Sequence, residues 1–165
     1  MSDISLQTDQ DGAAIEALMA DSFGPRRYER SVWELRPGPP VASLCFVIRE
    51  GGMTVGSLRF WEVMLGSWTI LLLGPLAVRL QLRGRGFGQA LITTALKRAA
   101  EGDWPLVLVS GEIDYYPRFG FVPAAPYGID WPGFIEPERL QFYELRAGAL
   151  ADLPAGPLAV RPVPV

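Results

Sequence analysis

The fold is decided by residues 68–110, which read WTILLLGPLAVRLQLRGRGFGQALITTALKRAAEGDWPLVLVS. An apolar run at 68–78 is followed by a loop of alternating arginine and glycine, an amphipathic segment at 86–100 and a second apolar run at 106–109. In the amphipathic segment the apolar side chains recur at helical spacing, whereas Lys97 and Arg98 lie outside the apolar stripe. Two apolar runs joined by a helix are typical of a βαβ unit with a parallel strand pair. The segment therefore predicts a strand, a glycine-rich loop, a helix and a strand, in that order.

The residues before this unit predict a strand, two helices and two further strands. Residues 4–6 alternate between apolar and polar side chains, and residues 15–19 carry apolar side chains at helical spacing. A second helix is predicted at 26–35, and the prolines that follow end it because proline lacks a backbone donor. Residues 43–49 and 54–63 are rich in β-branched and aromatic side chains. They predict two strands that pair antiparallel with each other and with the first apolar run.

The C-terminal third predicts short elements around one long irregular segment. One or two helical turns are predicted at 114–119, a brief strand at 121–122 and a last strand at 141–146, whereas the proline-rich stretch 124–137 is predicted to be irregular. We expect an α/β (mixed α+β) fold of one domain spanning residues 1–165. Its centre would be a mixed, mostly antiparallel sheet of six to seven strands, flanked by about four helices.

Composition excludes several classes of function. The chain has 15 basic and 18 acidic side chains, a formal net charge of −3, so neither nucleic acid nor an anionic membrane is an expected partner. It has one cysteine, Cys45, and no histidine, which excludes an internal disulfide, histidine-based metal sites and Ser-His or Cys-His relays. No metal is expected. The polar N-terminus lacks the pattern of a secretory signal, so we expect a cytoplasmic protein.

The loop Arg83-Gly84-Arg85-Gly86-Phe87-Gly88 lies between a buried strand and the start of a helix. Backbone N–H groups at a helix start lack intrahelical partners and attract anions, and two arginines add charge-assisted donors. The loop is either a pyrophosphate site or a solvated turn. A dinucleotide fingerprint that begins at Gly84 fails because its sixth place, which requires glycine, is Gln89. A nucleoside triphosphate loop fails because the only lysine, Lys97, lies inside the helix.

Two motifs resemble those of the GNAT superfamily of N-acetyltransferases. Residues 73–78 with 83–91 are similar to its acetyl-coenzyme A (acetyl-CoA) motif, Gln/Arg-x-x-Gly-x-Gly/Ala, in which Arg83, Gly86 and Gly88 take the defined places. Residues 115–121, YYPRFGF, are similar to a second signature, a tyrosine four residues before a Gly-Phe pair. The predicted order of one strand, two helices, three strands, helix, strand, helix and two strands is also similar to the family's. The tail at 144–150 resembles a bacterial, largely uncharacterised subgroup.

The resemblance implies an acetyl-CoA-dependent N-acetyltransferase that acts on a primary amine, preferably a small-molecule amine, by direct transfer in a ternary complex. Tyr116 would be the general acid that protonates the leaving thiolate. Ser110 is placed beside the cosubstrate at the end of its strand. The implied cosubstrate-binding residues are Leu76, Ala77, Val78, Arg83, Gly84, Arg85, Gly86, Phe87, Gly88, Gln89, Ser110 and Tyr116. The alternative is a non-catalytic acyl-CoA or CoA-binding sensor or assembly module of the same fold.

The acceptor side is less defined by the sequence. Glu34 and Glu62 are candidates to deprotonate the amine or are solvated surface charges, and Trp61 and Trp131 line an apolar acceptor pocket or belong to the core. Some family members use a carboxylate on the fourth strand as general base. Residues 68–78 contain no Asp or Glu, so the general base is unassigned. Where many members carry a proline after this strand, the chain has Leu80. A monomer and a homodimer both fit the sequence.

Overall fold

The computed structural model describes residues 2–27 and 30–164. These residues form three α-helices and nine strands, joined by short 3₁₀ turns. The helices are α1 Gly12–Phe23, α2 Phe87–Ala99 and α3 Ala149–Asp152. The strands are β1 Ser2–Leu6, β2 Phe46–Glu50, β3 Met53–Leu65, β4 Trp68–Val78, β5 Leu106–Ser110, β6 Val122–Pro123, β7 Ile129–Asp130, β8 Leu140–Glu144 and β9 Leu158–Pro162.

The sheet has the mixed, mostly antiparallel character that the sequence predicts. Seven strands follow one another in the order β1-β2-β3-β4-β5-β8-β6, and within this path only β4 and β5 are parallel. The fold class is therefore confirmed. Two strands are additional: β9 pairs with the end of β3, and the two-residue β7 pairs with β9. Both lie in segments for which no strand was predicted, although the buried Leu158 and Val160 flank the half-buried Ala159, an alternation that strand residues show.

The parallel pair β4 and β5 is short, and this opens the sheet. Its register joins only Leu71 to Val107 and Leu72 to Leu108. Beyond these residues β5 continues beside β8, up to Ser110 opposite Leu140, while β4 continues beside β3. The two strands therefore diverge, and the edge of β4 from residue 73 to residue 78 faces a cleft.

A bulge lies where the strands diverge. Leu58 of β3 pairs with Leu76, and Phe60 pairs with Leu73, so β4 has one residue more than β3 over this interval. The extra residue falls at Gly74-Pro75, where proline supplies no N–H to the ladder and Gly74 has a φ of +128°.

The two faces of the sheet bury separate clusters. Leu71 and Leu73 pack with Leu91 and Ile92 of α2, whereas Ile70 and Leu72 pack on the opposite face with Leu35 and Phe142. Because both faces of β4 are covered, its sequence is continuously apolar rather than alternating. This is why residues 68–78 could be recognised as a buried strand.

Two predicted helices are shorter than expected. The prediction of a helix at 26–35 is wrong over most of its length, since a 3₁₀ turn covers only Ser31–Leu35; residues 28 and 29 lie outside the described residues. Val32 and Leu35 are both buried, which suits the three-residue repeat of a 3₁₀ turn. The helix predicted at 114–119 is a 3₁₀ turn at Tyr116–Phe119, which ends at Gly120 in a left-handed conformation with a φ of +103°.

Candidate functional site

A cleft of about 640 Å³ opens where β4 and β5 diverge. One wall is the unpaired edge of β4, and the opposite wall is the end of β5 with the turn that carries Tyr115 and Tyr116. The loop at 83–89 closes one end of the cleft. The segment from Arg30 to Arg36, which follows α1, lines the other end. The fold thus places around one cleft residues that are more than a hundred positions apart in the sequence.

The loop at 83–89 offers free backbone donors. The first backbone hydrogen bond of helix α2 is donated by the Ala90 N–H to the Gly86 carbonyl, at 3.0 Å. The N–H groups of residues 84–89 have no partner among the described residues. Gly84 and Gly86 have φ angles of +84° and +85°, and a Cβ at either would meet no atom within 4 Å. The glycines therefore leave open space before unpaired donors at the start of α2, an arrangement that binds phosphate groups.

The two loop arginines have different surroundings. Arg83 lines the cleft, and its Nε donates to the Val78 carbonyl at 3.4 Å. Arg85 pairs instead with Glu50 at 3.1 Å, and its guanidinium lies 5.3 Å from the centre of the Phe87 ring. Arg85 is absent from the cleft lining, so of the two arginines only Arg83 lines the cleft.

On β4 the side chains of Leu76 and Val78 line the cleft. Ala77 between them points to the opposite face, where it packs against Leu18 and Met19 of α1. This alternation is the ordinary geometry of a strand. Any role of Ala77 toward a ligand in the cleft is therefore limited to its backbone.

Tyr116 lies at the base of the cleft wall with 8% of its surface exposed. Its ring packs on Gly111 and meets Phe121 edge-on at 5.4 Å. Burial raises the pKa of the Tyr116 phenol above its ordinary value, and the neighbouring Tyr115 and Glu112 act in the same direction. Tyr116 is therefore a neutral phenol over the physiological range.

Tyr115 occupies a different part of the cleft. A Cβ built at Gly88 would lie 2.8 Å from the Tyr115 hydroxyl, which places this hydroxyl beside the start of α2. Its ring meets the Tyr116 ring edge-on at 5.2 Å, with an angle of 87° between the planes. The two tyrosines thus present their polar ends to different points. Ser110, half-buried at the end of β5, also lines the cleft.

Three arginines that the sequence analysis did not single out line the cleft away from the phosphate-type loop: Arg30, Arg36 and Arg139. Arg36 lies over the β4 bulge, with its Nη2 2.9 Å from the position of a Cβ at Gly74. Its guanidinium carbon Cζ lies 4.7 Å from the centre of the Trp33 ring. Burial, reinforced by the charge of Arg30, lowers the pKa of Arg36 to about 9. No local pattern could have revealed this group, because Arg139 is 103 positions from Arg36.

The four residues expected on the acceptor side do not line this cleft. Trp61 and Glu62 line a second cavity of about 330 Å³, and Glu62 accepts a hydrogen bond from Trp104 Nε1 at 2.8 Å. They pair with Leu72 and Leu71, at the closed end of the β4–β5 pair, which explains their distance from the opening.

The other two acceptor-side candidates also lie elsewhere. Glu34 is exposed outside the cleft lining. Trp131 is buried, with its Nε1 donating to Ser31 Oγ at 2.8 Å. Among the described residues, the carboxylate that does line the cleft is Glu112, which is exposed at its rim. The turn after β5 that brings Glu112 there gave no sequence signal for such a role.

Within residues 2–27 and 30–164, no cluster of three histidine, cysteine or acidic side chains could hold a metal ion. Over the same residues, every helix is too short or too polar to span a membrane. Cys45 is buried, its Sγ lies 3.1 Å from the Val41 carbonyl, and burial raises the pKa of its thiol.

Comparison with known proteins gives the same family that the two motifs resemble. Residues 42–123 match the family described as the acetyltransferase (GNAT) domain. An uncharacterized N-acetyltransferase of Escherichia coli K12, YhbS, is 28% identical over 127 residues, which cover 74% of this chain and 76% of the relative. A second uncharacterized E. coli N-acetyltransferase, YjhQ, is 33% identical over 87 residues, 50% of this chain and 48% of the relative.

Two solved structures resemble the whole of the described fold. The crystal structure of E. coli YhbS in complex with CoA superposes with a TM-score of 0.80 at 26% identity, covering 98% of this chain and 89% of the other. A GNAT family acetyltransferase from Brucella melitensis in complex with acetyl-CoA gives a TM-score of 0.72 at 25% identity, covering 96% and 95%.

Proposed function

The chain belongs to the GNAT acetyltransferase family, and we propose that it transfers the acetyl group of acetyl-CoA to a primary amine of a small-molecule acceptor. The observation that carries this proposal is the cleft between the diverging strands β4 and β5, which ends at the unpaired N–H groups of residues 84–89. The similar E. coli and Brucella proteins were crystallised with CoA and acetyl-CoA.

The residues of the cleft fit such a cosubstrate. The N–H groups of the loop, the open space before Gly84 and Gly86, and the guanidinium of Arg83 suit a pyrophosphate group. The unpaired edge of β4 beyond Leu72 offers backbone donors and acceptors to an extended chain, as an added strand does. When bound, acetyl-CoA supplies an acetyl group already activated as a thioester.

Tyr116 is our candidate proton donor to the leaving thiolate. Its raised pKa keeps a proton on the phenol oxygen throughout the physiological range. A thiolate whose conjugate acid has a pKa of about 8.5 is less basic than a phenolate, so the proton transfer is uphill at equilibrium and requires close positioning. The packing of the ring against Gly111 and Phe121 supplies that positioning.

Direct transfer, without an acyl-enzyme, is supported by the described lining of the cleft, which contains no cysteine. The sequence contains one cysteine and no histidine. Cys45 lies outside the cleft lining, and burial raises the pKa of its thiol, which disfavours the reactive thiolate. The acceptor amine would therefore attack the thioester itself in a ternary complex.

One observation favours a second function, a CoA-binding sensor or assembly module without turnover. Catalysis needs a group that removes a proton from the amine, yet Glu62 and Glu34 lie outside the cleft and Glu112 stands exposed at its rim. Exposed carboxylates are ordinarily solvated charges. If Glu112→Gln lowers turnover and changes the decline of turnover at low pH, this would support a catalytic role for Glu112.

Calorimetric titration with acetyl-CoA and CoA, followed by an assay of thiol release with a panel of amines, separates the two functions. We expect micromolar binding and amine-dependent thiol release. Binding of both ligands without release from any amine would support the binding module. Failure to bind either ligand, in protein whose circular dichroism shows a folded chain, would contradict the assignment of the cleft.

A further inference from the structure

The two ends of the cleft carry separate groups of positive charge. The loop at 83–89 supplies Arg83 and free N–H donors at one end. Arg36 lies over Gly74 at the other end of the unpaired strand edge. Gly74 and Val78 are four residues apart, which is about 13 Å along a strand. An anion bound by the loop therefore leaves the Arg36 end free for another ligand.

Arg36 does not stand alone at its end of the cleft. Burial is the larger cause of the lowered pKa of both Arg36 and Arg30. The positive charge of Arg30 lowers the pKa of Arg36 further, and that of Arg139 lowers the pKa of Arg30 further. The three guanidiniums therefore face a common region of the cleft. Arg30 and Arg36 lie in the segment after α1, and Arg139 lies immediately before β8. Mutual repulsion and partial desolvation both cost free energy in the ligand-free protein.

Glu112, the described carboxylate that lines the cleft, is exposed and forms no ion pair with these arginines. Among residues 2–27 and 30–164, none of the three arginines forms an ion pair, and Arg36 Nε is buried without a hydrogen-bond partner. Other arginines do find partners within the same part of the chain: Arg27 pairs with Glu16, and Arg49 with Asp11. Arg36 is thus a half-buried guanidinium in a cleft lining, without an ionic partner and with a buried Nε that lacks an acceptor, so it can donate hydrogen bonds to an anionic ligand.

We infer that the acceptor amine carries an oxyanion, a carboxylate or a phosphate, which Arg36, Arg139 and Arg30 bind at the Gly74 end of the cleft. This inference rests on the proposed acetyltransferase function and names its substrate class. A planar guanidinium binds both oxyanions through paired hydrogen bonds, so the chemistry is shared. The oxyanion holds the acceptor while its amine faces the β4 edge. A cationic or neutral amine would leave the three charges unpaired.

The test compares amines that differ only in the anionic group. Thiol release is measured with the full chain, saturating acetyl-CoA, and matched pairs: L-phenylalanine with its amide, β-alanine with its amide, and O-phosphoethanolamine with ethanolamine. We expect kcat/KM to be at least about tenfold higher for the anionic member of one carboxylate or phosphate pair. The pair that shows the preference distinguishes the carboxylate source from the phosphate source.

Variants identify the residues responsible. In Arg36→Met, and separately in Arg139→Gln, the preference for the anionic amine should fall by about tenfold while the Kd for acetyl-CoA stays within about twofold. The unchanged Kd also shows that each variant is folded. Arg83→Ala is the matched control, since it should weaken acetyl-CoA binding and leave the ratio between the paired amines unchanged.

Each outcome decides a different point. Turnover of neutral amines at least as fast as of their anionic partners overturns the inference and leaves the acetyltransferase function intact. Equal losses for both members of a pair in Arg36→Met also overturn it, since Arg36 would then act on the acetyl group. Acetyl-CoA binding without thiol release from any amine overturns the proposed function and this inference together.

Discussion

The ring of Tyr116 packs on Gly111 so closely that a Cβ atom at residue 111 would lie 2.1 Å from Tyr116 Cε2. Real Cβ atoms do not approach other atoms to this distance, so Gly111 defines where the ring sits. The ring is also bounded by Phe121 and Tyr115, which meet it edge-on. The position of the phenol is thus set by a glycine, a residue that has no side chain.

Replacement of Gly111 should therefore impair catalysis through Tyr116. In Gly111→Ala the ring must move, and a displacement of about 1 Å at a reacting group costs up to about 100-fold in rate. We expect kcat to fall 10- to 100-fold. Gly12→Ala is the matched control, since a Cβ at Gly12 meets nothing within 4 Å. Equal kcat values for the two variants would contradict the positioning role.

Removal of the Tyr116 hydroxyl should lower turnover directly. In Tyr116→Phe the ring and its packing remain, whereas the proton donor is lost, and general acid catalysis contributes about 10²- to 10⁴-fold. We expect kcat to fall within this range while the Kd for acetyl-CoA changes little. Tyr127→Phe, outside the cleft lining, serves as the control. Turnover in Tyr116→Phe equal to that of the control would remove Tyr116 from the acid role.

The pH dependence of kcat follows from the burial of Tyr116. Burial raises the pKa of the phenol above its ordinary value of about 10, so the protonated, active form persists as the pH rises. We expect no loss of kcat from this group between pH 7 and pH 10, measured at saturating acetyl-CoA and amine. A descending limb near pH 8 to 9 that disappears in Tyr116→Phe would show that the phenol ionises earlier than its surroundings indicate.

The two loop arginines should separate in binding measurements. Arg83 lines the cleft, so Arg83→Ala should raise the Kd for acetyl-CoA about tenfold or more and weaken its dependence on salt. Arg85 is paired with Glu50 outside the lining, so Arg85→Ala should change the Kd by less than about twofold. Calorimetric titration at low and high salt measures both. Similar losses in the two variants would mean that Arg85 turns into the cleft when the ligand binds.

Asp11 should contribute to stability in a pH-dependent way. Its side chain is 7% exposed, and it accepts hydrogen bonds from the Thr8 N–H at 2.7 Å and from Arg49 Nη2 at 2.5 Å. Burial alone raises the pKa of this carboxyl, but the hydrogen bonds from Thr8 and Arg49 outweigh burial and hold the pKa below its ordinary value. The folded protein therefore favours the carboxylate. We expect Asp11→Asn to lower the free energy of unfolding by about 1–3 kcal/mol at pH 7.

The sign of the pH effect follows from the lowered pKa. The contribution is fully present above the unfolded pKa of about 3.9 and is lost as the pH falls through the folded pKa. Urea unfolding of wild type and Asp11→Asn should therefore differ equally at pH 7 and pH 5, with a smaller difference below about pH 4. A difference that persists unchanged at low pH would mean that the loss arises from packing rather than from the charge.

Helices and strands were predicted correctly from the sequence where the spacing of apolar residues indicates which side chains are buried. The bounds of β4 agree with the predicted 68–78, and α2 begins and ends within one residue of 86–100. Both elements are long, and their apolar side chains face covered surfaces, so the pattern was unambiguous. The helix predicted at 26–35 failed because its apolar positions Val32 and Leu35 suit a 3₁₀ turn equally well.

The direction of polar side chains was less predictable. Glu62 was expected near the acceptor, but its position on β3 lies at the closed end of the β4–β5 pair, beside Trp104. Arg85 and Arg83 are two positions apart and face different surroundings. Such differences depend on which neighbours the fold brings near, and sequence spacing carries no information about them.

The sequence by itself determined the βαβ unit, the glycine turn before its helix and the family, because strand, helix and glycine turns are specified by side chains close together in the chain. The tertiary structure alone decided where β4 and β5 separate and which charges meet in the cleft. A formal net charge of −3 gave no indication that Arg30, Arg36 and Arg139 converge. Their convergence is a property of topology, since Arg30 and Arg139 are 109 positions apart and line one cleft only after the sheet has formed.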